Sequence, residues 1–181
     1  RSYAERENFE GAKYVMSPPL RDASHQPVLW NGIRSRLISA VATDHAPFDF
    51  AGQKEMGRDN FTLIPNGIPS VENRVQLFYT FGPAAGRVDL QTFVDAASTQ
   101  AARIFGLYPR KGTIQPGADA DIVLYDPDRT WTISVDNHHM NMDHSAFEGF
   151  EINGHVHTVM SRGRIIIEDD TYTGSTGHGH Y

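Results

Sequence analysis

The stretch Leu37-Ile-Ser-Ala-Val-Ala-Thr-Asp-His-Ala-Pro47 decides the fold class of this chain. Its first six residues are mostly apolar, with the length and composition of a buried strand. We therefore predict a strand over residues 37–42 that delivers Thr43, Asp44 and His45 at its carboxyl end. Polar and potentially reactive side chains thus follow directly after a buried strand, which marks a candidate site.

Alternating strands and helices are predicted on both sides of this stretch, in the order expected of the last units of a parallel α/β layer. Pro18 and Pro19 end the first strand because proline donates no backbone hydrogen bond. The helices are predicted from apolar residues at helical spacing. The predicted order is a strand over 12–16, a helix over 26–38, the strand over 37–42, a loop over 48–69, a helix over 71–81 capped by Ser70, and a helix over 90–105 capped by Asp89.

The pattern changes after Gly112, where short β-like pieces replace the helices. Residues 173–181 are rich in glycine and histidine and predict an extended tail. The β-like pieces cover residues 122–125, 130–135 and 155–167.

Composition excludes several classes of protein. The net charge is −6 and the basic residues form no long run, so we expect neither a nucleic acid nor a membrane as partner. The absence of cysteine excludes disulfides, thiolate nucleophiles and cysteine-bound zinc. It also fits a reducing compartment, and we expect a cytoplasmic protein. No apolar run approaches the roughly 20 residues that span a bilayer.

Asp44 is the most informative candidate residue, and its chemistry leaves two interpretations open. A carboxylate at the end of a buried strand needs a metal, a cation or several hydrogen-bond donors. Facing a divalent metal that carries a water, Asp44 would ligate the metal and hold the proton taken from that water. In the alternative, Asp44 caps the next turn and His45 is a hydrogen-bonded loop histidine.

The histidines suggest further metal ligands. Residues i and i+2 of a strand share a face, so His155-Val-His157 and His178-Gly-His180 have the spacing to chelate one ion. Neither pattern has a third ligand at a recognisable spacing, and we favour the interpretation that they are surface histidines. The pair His138-His139 lies among polar residues and is equally open.

Three other polar positions have ordinary structural explanations beside functional ones. Ser17 lies in a proline-rich loop after the first predicted strand, where it would bind a polar ligand or cap a turn. Asn66 precedes Gly67, and Asn-Gly is a tight-turn signature by itself. Asp119 and Asp121 predict a turn that leads into a strand rather than a calcium site, because no ligand-rich loop follows them.

Several stretches of the chain match one family in order. Gly117-Ala-Asp-Ala-Asp121 alone marks only a wide superfamily, whereas Ser17-Pro-Pro-Leu-Arg21 and Ile64-Pro-Asn-Gly67 are more specific. With these stretches, nearly the whole chain resembles the carboxyl-terminal portion of the dihydropyrimidinase and D-hydantoinase family of cyclic amidohydrolases. The matching stretches are Lys13–Arg21, Thr43–Phe48, Gly57–Gly67, Leu107–Val123, Thr132–Ser134, His138-His139, Phe147–Gly149 and Ser161–Gly163.

The resemblance implies a hydrolase that opens a five- or six-membered cyclic ureide, a dihydropyrimidine or a 5-substituted hydantoin, to an N-carbamoyl amino acid. In that family two bridged divalent metals, usually Zn²⁺, activate a hydroxide that attacks the ring carbonyl. By resemblance Asp44 ligates the more buried metal and carries the proton to the leaving nitrogen. Ser17 and Asn66 correspond to residues whose main-chain groups hold the ureide edge of the substrate. The remaining metal ligands belong upstream of Arg1.

The resemblance also implies an α/β architecture: the carboxyl-terminal part of a (β/α)₈ TIM-like barrel followed by part of a small β-sandwich. We assign residues 1–111 to the barrel, 112–172 to sandwich strands and 173–181 to an extended tail. A complete barrel needs roughly 250 residues, and the 181-residue chain begins at Arg1 without an initiator methionine. We therefore expect a fragment that is inactive by itself, from a parent that forms a homotetramer.

Two related functions stay open as alternatives. The dihydropyrimidinase-like proteins of neuronal signalling are non-catalytic assembly proteins that tend to lose the strand-end aspartate and the turn asparagine. The presence of both Asp44 and Asn66 favours the catalytic branch. An allantoinase or a dihydroorotase would keep the same metal chemistry with another ring.

Overall fold

The computed structural model describes residues 6–179, which fall into two compact units built from interleaved segments of the chain. Among the helices formed by these residues, none has both the length and the apolar character that a membrane span requires. The first unit contains residues 6–28, Ala42–Val75 and Thr132–Glu151, and the second contains Leu29–Val41, Gln76–Trp131 and residues 152–179.

The first unit carries the candidate site and is built from short 3₁₀ turns and loops. Its turns follow from local hydrogen-bonding side chains: Asn60 accepts from the amide of Thr62, and Ser134 accepts from the amide of Asp136. Its buried apolar side chains are Ala12, Ile64, Ile68, Ile133 and Ala146. The 3₁₀ turns are Glu10–Tyr14, Ala23–His25, Lys54–Gly57, Phe61–Leu63 and Val135–Asn137.

The regular helices of the chain are α1 (Gln26–Arg34), α2 (Arg74–Phe81), α3 (Leu90–Val94) and α4 (Gln100–Ile104). In the second unit, helix packing rests on aromatic contacts around Phe78, whose ring centroid lies 5.8 Å from that of Trp30 and 5.0 Å from that of Phe93.

The predicted helix over 90–105 is confirmed, with a π-helical turn, Asp95–Thr99, between α3 and α4. Asp89 caps its start as predicted, since its carboxylate accepts from the amide of Thr92 at 2.7 Å. Gly106 follows α4 at φ 69°, a conformation that favours glycine and ends the helix. Within the π-helical turn, the Ala96 carbonyl accepts from the amide of Val41 at 3.1 Å.

A four-stranded sheet occupies the region where β-structure was predicted, with the strands in the order β1-β2-β3-β4. The β2–β3 and β3–β4 pairs are antiparallel, with Thr158 opposite Glu168 and Ile167 opposite Tyr172. The piece predicted at 122–125 joins residues 130–132 in one strand, whereas the rest of the piece predicted at 130–135 lies outside it and Val135 begins a 3₁₀ turn. Pro127 is tolerated in this strand because β1 lies at the edge of the sheet. The strands are β1 (Ile122–Thr132), β2 (Glu151–Ser161), β3 (Arg164–Glu168) and β4 (Thr171–Tyr172).

Five local predictions are wrong. Asn66 and Gly67 form no tight turn, since neither lies in a turn or a bend and Gly67 has φ 153°, outside the left-handed helical region. The helix predicted over 26–38 ends at Arg34. Residues 12–16 form part of a 3₁₀ turn and its exit, because the amides of Ala12 and Val15 bond locally to the carbonyls three residues before them. Residues 37–42 form no strand, because no strand pairs with them within residues 6–179. The helix predicted from Val71 begins at Arg74 instead, and the Ser70 hydroxyl donates to the carbonyl of Thr43.

Candidate functional site

The loop that carries Ser17 and the segment that carries Asn66 are joined by a backbone hydrogen bond. The amide of Gly67 donates to the carbonyl of Val15 at 3.0 Å. Ser17 and Asn66 are both exposed residues. These two candidate substrate-binding residues, distant in sequence, therefore lie on directly connected segments.

The segment that carries Asp44 also contacts the Asn66 segment. His45 forms a parallel β-bridge with Ile68, and the amide of Ala46 donates to the Ile68 carbonyl at 3.3 Å. The approach is close at Gly67, where a Cβ would lie 2.3 Å from the Ala46 carbonyl oxygen. The chain thus brings the Asp44 segment and the Asn66-Gly67 segment together, and only glycine fits between them.

Asp44 is exposed, with its backbone in the left-handed region at φ 48°. Its carboxylate makes no hydrogen bond or ion pair with the part of the chain that the structure describes, so the capping interpretation receives no support. His45 is the hydrogen-bonded loop histidine of that interpretation: its Nδ1 accepts from the amides of Ser70 and Val71 at 3.0 and 3.2 Å. The Asp44 carboxylate therefore stays available for a ligand or a proton.

Lys54 is a residue of this region that the sequence did not single out. Its side chain is fully buried, and its Nζ donates to the carbonyls of Val15 at 3.1 Å and Pro65 at 3.0 Å. Burial lowers the pKa of Lys54 to about 8. In the sequence it stands between Gln53 and Glu55, as a solvent-exposed lysine would, so no local signal distinguishes it.

A carboxylate in the first unit anchors the loop that follows the Asp44 segment. Asp143 accepts from the amides of Phe50 and Ala51 at 2.7 and 2.8 Å and from His144 Nδ1 at 3.0 Å. Burial by itself raises the pKa of Asp143, but these donors outweigh it and hold the pKa below its ordinary value. His144 is buried, and desolvation lowers its pKa despite the neighbouring carboxylate.

The pair His138-His139, which the sequence left open, takes part in ordinary hydrogen bonds. His139 Nδ1 lies 2.7 Å from Glu72 Oε1, and the backbone amides of His139 and Met140 donate to the same carboxylate. His138 Nε2 lies 3.3 Å from the carbonyl of Met142. These contacts hold a loop in place and leave no arrangement suited to chelation.

The two H-x-H patterns also have local partners. His155 was predicted at the surface, but it is buried. Its Nε2 lies 2.7 Å from an Asp170 oxygen, and its ring packs edge-on against Trp131. His157 is exposed and lies 3.4 Å from Asp169. His178 Nε2 lies 2.9 Å from the Ser161 carbonyl, whereas His180 is outside the described residues.

The prediction for Asp119 and Asp121 is confirmed, because the Asp121 amide donates to the Asp119 carbonyl at 2.9 Å and β1 begins at Ile122. Lys111 forms ion pairs with both carboxylates, and the amide of Arg162 donates to Asp121 at 2.8 Å. Both carboxylates are thus used in ionic and hydrogen-bond contacts.

A metal site needs more ligands than these residues supply. Among residues 6–179 no group of three or more histidine, aspartate or glutamate side chains could hold a metal ion. Asp44 fits as a single ligand, since its carboxylate is exposed and unpaired within that range. The residues present therefore suit one corner of a metal centre.

The chain belongs to the amidohydrolase family, whose profile matches residues 15–166. Hydrolases of this family are metal-dependent.

The chain is also similar to individual hydantoinases and to a dihydropyrimidinase. The chain is 52% identical to the D-hydantoinase of Streptomyces coelicolor over 174 residues, covering 96% of this chain and 37% of that protein. The structure of D-hydantoinase (dihydropyrimidinase) from Thermus sp. superposes with a TM-score of 0.94 at 53% identity, covering 98% of this chain and 39% of the other. The dihydropyrimidinase of Brevibacillus agri gives a TM-score of 0.95 at 47% identity, covering 97% and 38%.

These similarities indicate the class of fold and show how much of its relatives' length the chain covers. The family and the two solved structures imply a TIM-barrel-type fold. The chain spans 37% of the length of the Streptomyces relative that it matches. It carries the segments of Ser17, Asp44 and Asn66 within that span.

Proposed function

We propose that the protein containing this chain hydrolyses the cyclic amide bond of dihydropyrimidines or 5-substituted hydantoins to N-carbamoyl amino acids. One observation carries the proposal: Ser17, Asp44 and Asn66 lie on three segments that are tied to one another by direct backbone contacts. The Gly67 amide bonds the Val15 carbonyl, and the Ala46 amide bonds the Ile68 carbonyl. The similarity to hydantoinases and a dihydropyrimidinase supports the same ring chemistry.

In this proposal Ser17 and Asn66 bind the substrate through main-chain groups. A cyclic ureide presents a row of alternating N–H donors and carbonyl acceptors, which backbone carbonyls and amides match. Rigid backbone suits this task because it loses little entropy when the ring binds. The prolines after Ser17 and the hydrogen bond from the Gly67 amide to the Val15 carbonyl restrict this backbone.

Asp44 is the proton carrier of the proposed reaction. Water forms a bond to the ring carbonyl carbon, and the carbonyl carbon–nitrogen bond breaks. The Asp44 carboxylate takes the proton from the attacking water and delivers it to the ring nitrogen that leaves, which balances the reaction. A divalent metal, zinc by resemblance, would be held in part by Asp44 and would supply Lewis-acid activation of the water.

The same proposal covers architecture and assembly. Residues 1–111 belong to the carboxyl-terminal portion of the barrel, 112–172 to strands of a β-sandwich and 173–181 to a tail. We propose a homotetramer in the cytoplasm; the support is the resemblance to the family, together with a cysteine-free chain that fits a reducing compartment.

The test is a ring-opening assay on the full-length natural protein, purified with its metal. Dihydrouracil and hydantoin are the substrates, with allantoin and dihydroorotate beside them to separate the related activities. We expect N-carbamoyl product from dihydrouracil or hydantoin, and loss of turnover after chelation that returns when zinc is added. A metal-free, inactive natural protein would favour the non-catalytic assembly role and refute the proposal.

A further inference from the structure

Lys54 occupies the point where the two proposed substrate-binding segments meet. Its Nζ contacts the carbonyl of Val15, two residues before Ser17, and that of Pro65, directly before Asn66. The Val15 carbonyl also accepts from the Gly67 amide, so both of its lone pairs are directed at this junction. One amine therefore bonds to the backbone on both sides of the proposed ring-binding site.

The burial of this lysine is costly, and its contacts give it a specific geometric task. The Lys54 side chain has 0% exposure, and burying an amine without hydrogen-bond partners is strongly unfavourable. An apolar side chain would fill the same space without that cost. What only the amine adds is a pair of directed hydrogen bonds, at 3.1 and 3.0 Å, to carbonyls of two separate segments.

The two bonds suit either protonation state of the side chain. An ammonium has three N–H donors and a neutral amine has two, so both forms satisfy the Val15 and Pro65 carbonyls. The contact therefore persists at pH values near the lowered pKa of Lys54, about 8.

We propose that Lys54 is a positioning residue that fixes the spacing between the Ser17 loop and the Asn66 segment, so that their main-chain groups match the edge of one cyclic amide. This inference rests on the proposed function, because it assigns a role to Lys54 in binding that substrate. Lys54 itself does not touch the substrate, since its Nζ is directed at two backbone carbonyls behind the exposed residues.

The experiment compares Lys54→Met and Lys54→Gln with the natural enzyme, in full length and metal-loaded, with hydantoin as substrate. Methionine keeps the length of the side chain and removes both donors, whereas glutamine keeps an N–H donor group. Lys111→Met is the matched control, because Lys111 is an ion-paired lysine that contacts Asp119 and Asp121 instead. KM and kcat per folded, metal-containing site are measured, with circular dichroism as a check on folding.

For Lys54→Met we expect KM to rise about tenfold with kcat changed less than about threefold, because displaced main-chain groups weaken ring binding. We expect a smaller rise for Lys54→Gln and none for Lys111→Met. A KM for Lys54→Met that equals the control value overturns the inference, whatever happens to kcat. Loss of folded protein in both Lys54 variants also overturns it, because Lys54 then serves folding alone. A natural enzyme without turnover refutes the proposed function itself, which is a different outcome.

Discussion

The amide nitrogen of Gly67 lies 3.0 Å from the carbonyl oxygen of Val15, which joins the residue after Asn66 to the segment before Ser17. Gly67 adopts φ 153° and is buried against the carbonyl of Ala46. The geometry of the proposed ring-binding site therefore depends on a residue without a side chain, and the first prediction concerns this position.

Gly67→Ala is expected to displace the Asn66 segment. The added Cβ would lie 2.3 Å from the Ala46 carbonyl oxygen, so backbone must move. We expect the free energy of unfolding to fall by about 1–3 kcal/mol and KM to rise, measured by denaturant titration and steady-state kinetics. Gly52→Ala is the control, because Gly52 also has positive φ, 74°, but no atom within 4 Å of the added Cβ. Equal effects of the two substitutions on KM would contradict the close-approach argument.

Ser17→Ala is expected to change kcat/KM by less than about threefold. The proposal assigns substrate binding to the main chain of Ser17, and a change to alanine leaves that main chain intact. The side chain is exposed, so the substitution also leaves no buried partner unsatisfied. Steady-state kinetics on hydantoin provide the measurement. A loss of more than about a hundredfold would assign the binding to the hydroxyl and refute the main-chain role.

Parts of the fold were predictable because their signals are local. Asp89 caps the helix over 90–105 with its own carboxylate, and Gly106 ends it through a conformation that glycine favours. The strand predicted over 37–42 failed for the opposite reason. Strand structure depends on a hydrogen-bonded neighbour, and apolar character alone does not supply one. The Val41 amide instead donates to the carbonyl of Ala96, an interaction that no local sequence pattern predicts.

The candidate residues were also selected from local signals, and their assigned roles stay predictions. Asp44, Ser17 and Asn66 stand in motifs that the sequence displays, and the structure adds that their segments are in contact. Lys54 was missed because its role depends on carbonyls of Val15 and Pro65, which belong to the backbone and leave no trace in residue type. Burial of a lysine is a tertiary property, and a polar neighbourhood in sequence predicts the contrary.

Asp143→Asn is expected to loosen the loop at residues 50–51. An asparagine oxygen cannot accept from both the Phe50 and Ala51 amides with the strength of a carboxylate. We expect the free energy of unfolding at neutral pH to fall by about 1–2 kcal/mol, measured by denaturant titration. Asp136→Asn, at an exposed position of the same unit, is the control and is expected to have little effect.

The same substitution carries a pH dependence of known sign. The folded-state pKa of Asp143 lies below its ordinary value of 3.8, so its stabilisation is complete above that value. It is lost as the pH falls from 3.8 through the lowered folded-state pKa. The stability difference between the natural protein and Asp143→Asn should therefore shrink in acid. A difference that stays constant from neutral pH down to about 2 would contradict the assigned cause.

The most direct measurement of the central claim is the turnover of Asp44→Asn in the full-length, metal-loaded protein with hydantoin or dihydrouracil. The account predicts a loss of kcat of at least about a hundredfold, because an asparagine cannot take the proton from water and pass it to the ring nitrogen. Asp128→Asn, at an exposed position of β1, is the control and should turn over normally. Near-natural kcat in Asp44→Asn, with metal content unchanged, would contradict the assignment of Asp44 as the proton carrier.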